Sequence, residues 1–218
     1  MNTTALHPFR TAATLAAALA LAAASAPAWA QRFAVAPAAE FIAGDPVDIV
    51  LEGLPPGTEL RIEARRTVAE WTGGRRVFQS AARFRADSAG RVDLARQAPL
   101  PGGSYDGADL RGLFWSKQPA PEGTTAPEPG QVLIEARSAD GERLLATQLL
   151  RLRPAREDIA SREATPFPGA RFFVAPGAEG TRRPALIILG GSEGGTMILR
   201  DGPVWASRGY AVLALPYY

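Results

Sequence analysis

Ala185-Leu186-Ile187-Ile188-Leu189-Gly190-Gly191-Ser192-Glu193-Gly194-Gly195 runs from five consecutive apolar residues straight into a glycine cluster. An unbroken apolar run of strand length is the pattern of a strand buried on both faces of a parallel sheet. A helix-length segment follows to about Arg208, then Gly209 turns the chain into a second apolar run, Tyr210-Ala211-Val212-Leu213-Ala214-Leu215. Strand, glycine-rich turn, helix and strand make one βαβ unit, whose two strands are expected to lie parallel. Just upstream, Arg171-Phe172-Phe173-Val174 reads as a short strand, and residues 175–183 as a glycine-containing turn. The expectation for residues 170–218 is the first strands and helix of an α/β domain, incomplete at Tyr218.

The grammar before this region is different. Residues 31–153 carry short alternating segments separated by Gly, Pro and Asp. Leu60-Arg61-Ile62-Glu63-Ala64 has the apolar/polar period of a half-buried strand. Strands are also expected at residues 47–51, 77–86, 92–94, 132–136 and 144–152. Turns fall at 53–57, at Gly73-Gly74, at Asp87-Ser88-Ala89-Gly90 and at Ala139-Asp140-Gly141-Glu142. Such spacing is the signature of a β-sandwich, here of Ig-like type. Between Pro99 and Pro129 the Pro and Gly content predicts a long loop. Its apolar centre, Gly112-Leu113-Phe114-Trp115-Ser116, reads first as a plug for the end of the sandwich rather than a ligand site, and second as a docking point of Phe114 and Trp115 on the following domain. Residues 154–169, charged and bounded by prolines, read as a linker.

Residues 1–30 have the three regions of a secretory signal: Arg10 near the start, an Ala/Leu run over 11–24, then Pro27 and Ala28-Trp29-Ala30. The apolar run is too short to span a bilayer comfortably, so cleavage after Ala30 and export to the periplasm or medium are expected, with no stable membrane anchor afterwards. Lys and Arg number 24 against 22 Asp and Glu, and no stretch interleaves cations with stacking aromatics, which argues against nucleic acid as a partner. There is no Cys, and the single His is His7, inside the signal segment. Residues 31–218 therefore supply no Ser-His-Asp triad, no Cys nucleophile and no His-built metal site; neither metal nor cofactor is expected.

Gly190-Gly191-Ser192-Glu193-Gly194 matches G-x-S-x-G between a strand and a helix, which makes Ser192 a candidate nucleophile. Position favours another assignment. In an α/β-hydrolase the nucleophile follows a central strand with earlier parallel strands already laid down, whereas here one short strand precedes the motif. Gly190, Gly191, Ser192, Glu193, Gly194 and Gly195 are better read as an oxyanion-hole loop, whose glycines let backbone N–H groups approach a substrate carbonyl. The helix N-terminus adds a favourable dipole. A non-His base such as Glu193 is a poor partner for Ser192, because neighbours on a tight turn seldom converge. A phosphate loop is excluded because no Lys follows the glycines.

Three stretches resemble the acyl-CoA thioester hydrolase and bile acid-CoA:amino acid N-acyltransferase family. The first is Gly103-Ser104-Tyr105-Asp106-Gly107-Ala108-Asp109 through Gly112-Leu113-Phe114-Trp115-Ser116 and Pro119, similar to that family's N-terminal β-sandwich. The second is the run 184–195, similar to its first long hydrolase strand and glycine loop. The third is the run 208–218, similar to the strand after it. The resemblance implies a two-domain enzyme that attacks an acyl-CoA thioester with Ser or Cys. A His and an Asp complete the triad, and the acyl group passes to water or an amine. None of the triad positions maps onto this chain; only the glycine loop does. Export is unusual for a CoA-ester enzyme, which leaves other thioesters, esters or amides open as substrates. The alternative from another class is a non-catalytic sandwich that binds a partner and carries a vestigial hydrolase tail. Against it, the runs 185–189 and 210–215 would stand as hydrophobic strands without sheet partners.

Overall fold

The computed structural model describes residues 30–70, 73–177, 180, 182–191 and 195–216. The expected signal segment up to Trp29, and Ser192, Glu193 and Gly194 of the glycine loop, lie outside the described residues.

The alternation in Leu60-Arg61-Ile62-Glu63-Ala64 is realised in full. β4 (Glu59–Ala69) buries Leu60, Ile62 and Ala64 completely and turns Arg61 to solvent. It pairs along its whole length with β5 (Arg75–Arg85), from Glu59 opposite Arg85 to Ala69 opposite Arg75. The turn between them is closed by Glu70 N–H to Gly74 O at 2.8 Å and Gly73 N–H to Glu70 O at 3.1 Å. On its other edge β4 meets β8 (Gln131–Ser138), which pairs with β9 (Leu144–Arg153). Short edge strands complete this six-stranded sheet: β2 (Glu40–Ile42) runs parallel to β9, and β7 (Gln118–Pro119) runs antiparallel to β5.

A second, three-stranded sheet has the order β1-β3-β6, formed by β1 (Arg32–Ala36), β3 (Asp48–Glu52) and β6 (Val92–Asp93). Its inward residues Ile49, Leu51 and Val92 share one core with Leu60, Ile62, Phe84, Val132, Ile134 and Leu150 of the larger sheet. That shared core makes residues 32–153 a β-sandwich. Outward residues carry the charge: Glu59 accepts from Arg83 and Arg85 at 2.8 and 2.6 Å, and the two guanidiniums hold its carboxyl below the usual carboxylate range. Deeper, the buried Glu135 is held between Arg65 and Arg137, which satisfies a charge too costly to bury alone.

The long Pro/Gly loop contains one helical turn, α1 (Gly112–Trp115). Leu113 is fully buried in the sandwich core, Phe114 packs against it, and Trp115 is exposed. The loop thus plugs the sandwich end with Leu113. Its backbone is tied down by Ser80 Oγ donating to Leu113 O at 2.6 Å, and by the Ser104 and Ser116 hydroxyls, 2.7 Å apart.

The remaining sheet has the order β10-β11-β13-β12, with β10 (Ala160–Glu163), β11 (Arg171–Val174), β12 (Ala185–Leu189) and β13 (Ala211–Leu215). β12 and β13 are parallel, with Ala185 opposite Ala211 and Leu189 opposite Leu215. Between them α2 (Ile198–Ala206) crosses one face of the sheet, and Phe173, Ile198, Ala206, Val212 and Ala214 form a small core.

Two expectations are corrected here. The stretch 154–169, read as a linker, contributes β10. All four residues of β10 are exposed, because an edge strand that pairs on one side only needs no apolar face. The run 185–189, read as a strand buried on both faces, is among the described residues an edge strand covered on one. Leu186 and Ile188 are half-buried, while Ile187 and Leu189 stay 66% and 58% exposed, since no described element packs on their face.

Candidate functional site

The glycine loop joins β12 to α2, and its two ends meet. A Cβ placed on Gly190 would lie 2.2 Å from the Cα of Gly195 and 2.8 Å from its carbonyl oxygen. No side chain fits there, so this position admits glycine alone. Gly195 itself has φ +77°, the left-handed region that glycine occupies without penalty. The strand end and the helix start are thereby pinched together. Gly190, Gly191 and Gly195 are the described members of the predicted oxyanion loop, and Ser192, Glu193 and Gly194 fall outside the described residues.

After the pinch the chain enters α2 by short i→i+3 bonds, Leu199 N–H to Thr196 O at 3.1 Å and Arg200 N–H to Met197 O at 3.0 Å. No side chain caps this end. Its first-turn N–H groups lie at the positive end of the helix dipole. Asp201 in the first turn adds a complementary negative charge.

The far end of α2 is tied on three sides. Gly202 lets the helix settle on β11, because a Cβ there would come within 2.3 Å of the Phe173 ring. Ser207 Oγ donates to Pro203 O at 2.7 Å and accepts the Arg156 N–H at 2.8 Å. Arg208 pairs with Asp45 and donates to Ala43 O at 2.5 Å, which anchors the βαβ unit on the sandwich loop that follows β2. Trp205 and Tyr210 meet edge to face, centroids 6.0 Å apart. A helix fixed at its C-terminal end presents its N-terminal end in a defined place, which a preorganised donor site requires.

Two titrating groups escaped the sequence reading. Lys117, the single lysine, donates to Leu113 O and Phe114 O and stands 4.7 Å from the Phe114 centroid. Burial, with Arg66 adding its charge, pulls its ammonium down to about 7. Tyr105, buried beside α1, is pushed up to about 12 by burial and then by Asp109. Both lie in the family-like stretch 103–119, but their letters carry no sign of burial; only the folded loop creates these environments. Among the described residues no group of three or more His, Cys, Asp or Glu side chains could hold a metal. No described helix is long and apolar enough to cross a membrane.

Residues 44–157 match the family described as the acyl-CoA thioester hydrolase/BAAT N-terminal region. Curated relatives extend the likeness past the sandwich. Mouse acyl-coenzyme A thioesterase 5 is 31% identical over 185 residues, covering 80% of this chain and 42% of its own. Mouse peroxisomal succinyl-coenzyme A thioesterase is 32% identical over the same shares. Human mitochondrial acyl-coenzyme A thioesterase 2 is 29% identical over 200 residues, with 80% of this chain and 36% of that one covered. The chain thus spans less than half the length of these relatives. With the match running through most of the sandwich, from β3 to the end of β9, this chain belongs to the acyl-CoA thioester hydrolase/BAAT family.

Proposed function

We propose that this chain forms the sandwich and the first βαβ unit of an exported hydrolase or acyltransferase acting on acyl thioesters or related esters. The observation that carries the reading is the Gly190–Gly195 pinch at the head of α2, in a chain of the acyl-CoA thioester hydrolase family. Parallel pairing of β12 and β13 around α2 supports residues 170–218 as the opening of an α/β-hydrolase sheet. In this reading Gly190 to Gly195 supply backbone N–H donors to the oxyanion that forms when a nucleophile adds to the substrate carbonyl. Ser192 is a loop residue rather than the nucleophile. Residues 31–218 contain no His, so the general base that deprotonates a Ser or Cys nucleophile comes from elsewhere in the protein. The CoA-ester substrates named for the relatives motivate the thioester class. Export, read from residues 1–30, widens it to thioesters and esters outside the cytoplasm.

The test is thiol release from acyl-CoA by the protein as the cell exports it, with its intact mass measured in parallel. Gly190→Ala, which drives a methyl into the backbone of Gly195, is expected to lower kcat by about 10²–10³ with KM little changed. A native mass equal to residues 31–218, together with no thiol release, would replace this reading with that of a binding module.

A further inference from the structure

On the sandwich, away from the glycine loop, lies an open cleft of about 750 Å³. Its walls come from segments far apart in sequence: Phe41 and Val47 around the loop after β2, Leu110, Phe114 and Trp115 from α1 and its approach, and Leu152 from β9. Three of these six are aromatic. A concave apolar surface of this size with a few polar groups is the usual form of a small-molecule site.

The charges at the cleft are unequal in their commitments. Asp45 is taken by Arg208, and Asp109 accepts from Trp115 Nε1 and the Arg111 N–H, both at 2.8 Å. Asp48 is exposed and has no ion pair among the described residues. Against it stand Arg66 and Arg111, which line the cleft and form no ion pair among the described residues. Arg111 makes one long contact, 3.5 Å to Gly44 O. Arg66 is half-buried in β4 and close enough to Lys117 for their like charges to interact. Arg66 is thus a half-buried guanidinium with Lys117 nearby and no carboxylate paired to it, although Asp48 and Asp109 also line the cleft, and its charge is incompletely compensated. An anionic group placed there would relieve it and gain charge-assisted hydrogen bonds.

We propose that this cleft binds an unbranched acyl chain ending in a carboxylate, with the chain against Phe41, Phe114, Trp115 and Leu152 and the carboxylate at Arg66 and Arg111. The site is separate from the Gly190–Gly195 loop, and its binding involves no hydrolysis, so its failure and that of the thioester reading are distinguishable. It also adjoins the 43–45 loop that Arg208 grips, so an occupant would sit against the anchor of α2.

Calorimetric titration of the full chain with dodecanoate, dodecanol and acetate tests it. Dodecanoate is expected to bind at one saturable site at least tenfold more tightly than dodecanol, and acetate not to saturate. Arg66→Gln should bring dodecanoate down to the level of dodecanol. Ala43→Trp, which fills the cleft from an exposed position, should weaken both chains at least tenfold. Thermal unfolding of each variant establishes that it is folded; should Arg66→Gln not be, Arg111→Gln at the exposed start of α1 takes its place, with the same loss expected. Equal binding of dodecanoate and dodecanol, no saturable site, or dodecanoate affinity unchanged in the arginine variant would each overturn the proposal.

Discussion

The two cores of this chain solve the same problem with different success. The sandwich closes a three-stranded sheet over a six-stranded one, and fully buries Phe84, Ile49, Leu51, Leu60, Ile62, Leu94, Leu113, Ile134 and Leu150. Among the described residues the four-stranded sheet has one helix on one face, and Val212 is its single large side chain buried to the same degree. A sheet needs a layer on each apolar face. The sandwich has both layers within its own residues, whereas the described part of the βαβ unit has one. The sandwich is therefore expected to be the more stable body in this chain, with the βαβ unit opening at lower free energy.

The largest effect that could break this contrast is expected from Phe84→Ala. It empties the centre of the sandwich and should cost about 3–5 kcal/mol. Native-state hydrogen exchange should show the loss in β4, β5 and β8 and leave β12 and β13 nearly unchanged, because those amides are expected to exchange by local opening. An equal loss in both sheets would show a single cooperative body.

Gly202→Ala is the converse probe. Its methyl would meet the Phe173 ring, lift α2 and cost about 1–3 kcal/mol. Lost protection should be confined to residues 171–215.

A pH series sharpens the comparison, because the strongly shifted groups both lie in the sandwich. Lys117 titrates near 7 in the folded state against 10.5 ordinarily, so between those values the unfolded chain binds more protons and stability rises with pH. About 1–2 kcal/mol should be gained from pH 7 to 9, and Lys117→Met should abolish the slope. Tyr105 acts in the opposite sense: its stabilisation is complete below pH 10 and lost as pH rises towards 12. Denaturant melts of wild type and variant across this range read both.

The smallest effect is expected from Ile187→Lys on the uncovered face of β12. At 66% exposure it should change the stability of this chain by no more than about 0.5 kcal/mol. A cost of several kcal/mol would mean that this face is covered, and the contrast between the cores would narrow.

The features that were legible in the sequence are those whose partners leave a periodic mark. β4 announced itself because every second side chain enters the core, and β12 to β13 because apolar runs flank a glycine turn. β10 was not legible, since a wholly exposed edge strand has no apolar period to read. β1, β2 and β7 were missed for a related reason: each is short and pairs at the margin of a sheet. The burial of β12 was overestimated because composition reports what a strand can bury, while exposure depends on which layers are there to cover it. At the candidate site, the glycine loop could be located from its letters, yet the contact of Gly190 with Gly195 could not. Of the cleft, only the apolar stretch with Phe114 and Trp115 left a local trace, because Phe41, Arg66 and Leu152 join it through sheet pairing and the placing of α1.

The pinch at Gly190 and Gly195 also separates two kinds of information. The chain leaves β12 and enters α2 at practically one point, so the course of the helix is fixed by that crossing and not by what lies between. Gly190 and Gly195 form a closed neck, and the four residues between them in sequence are not needed to close it. Those residues can be lengthened, shortened or recoded while the strand and helix keep their places, so the loop can be remade for a new chemical task without refolding its support.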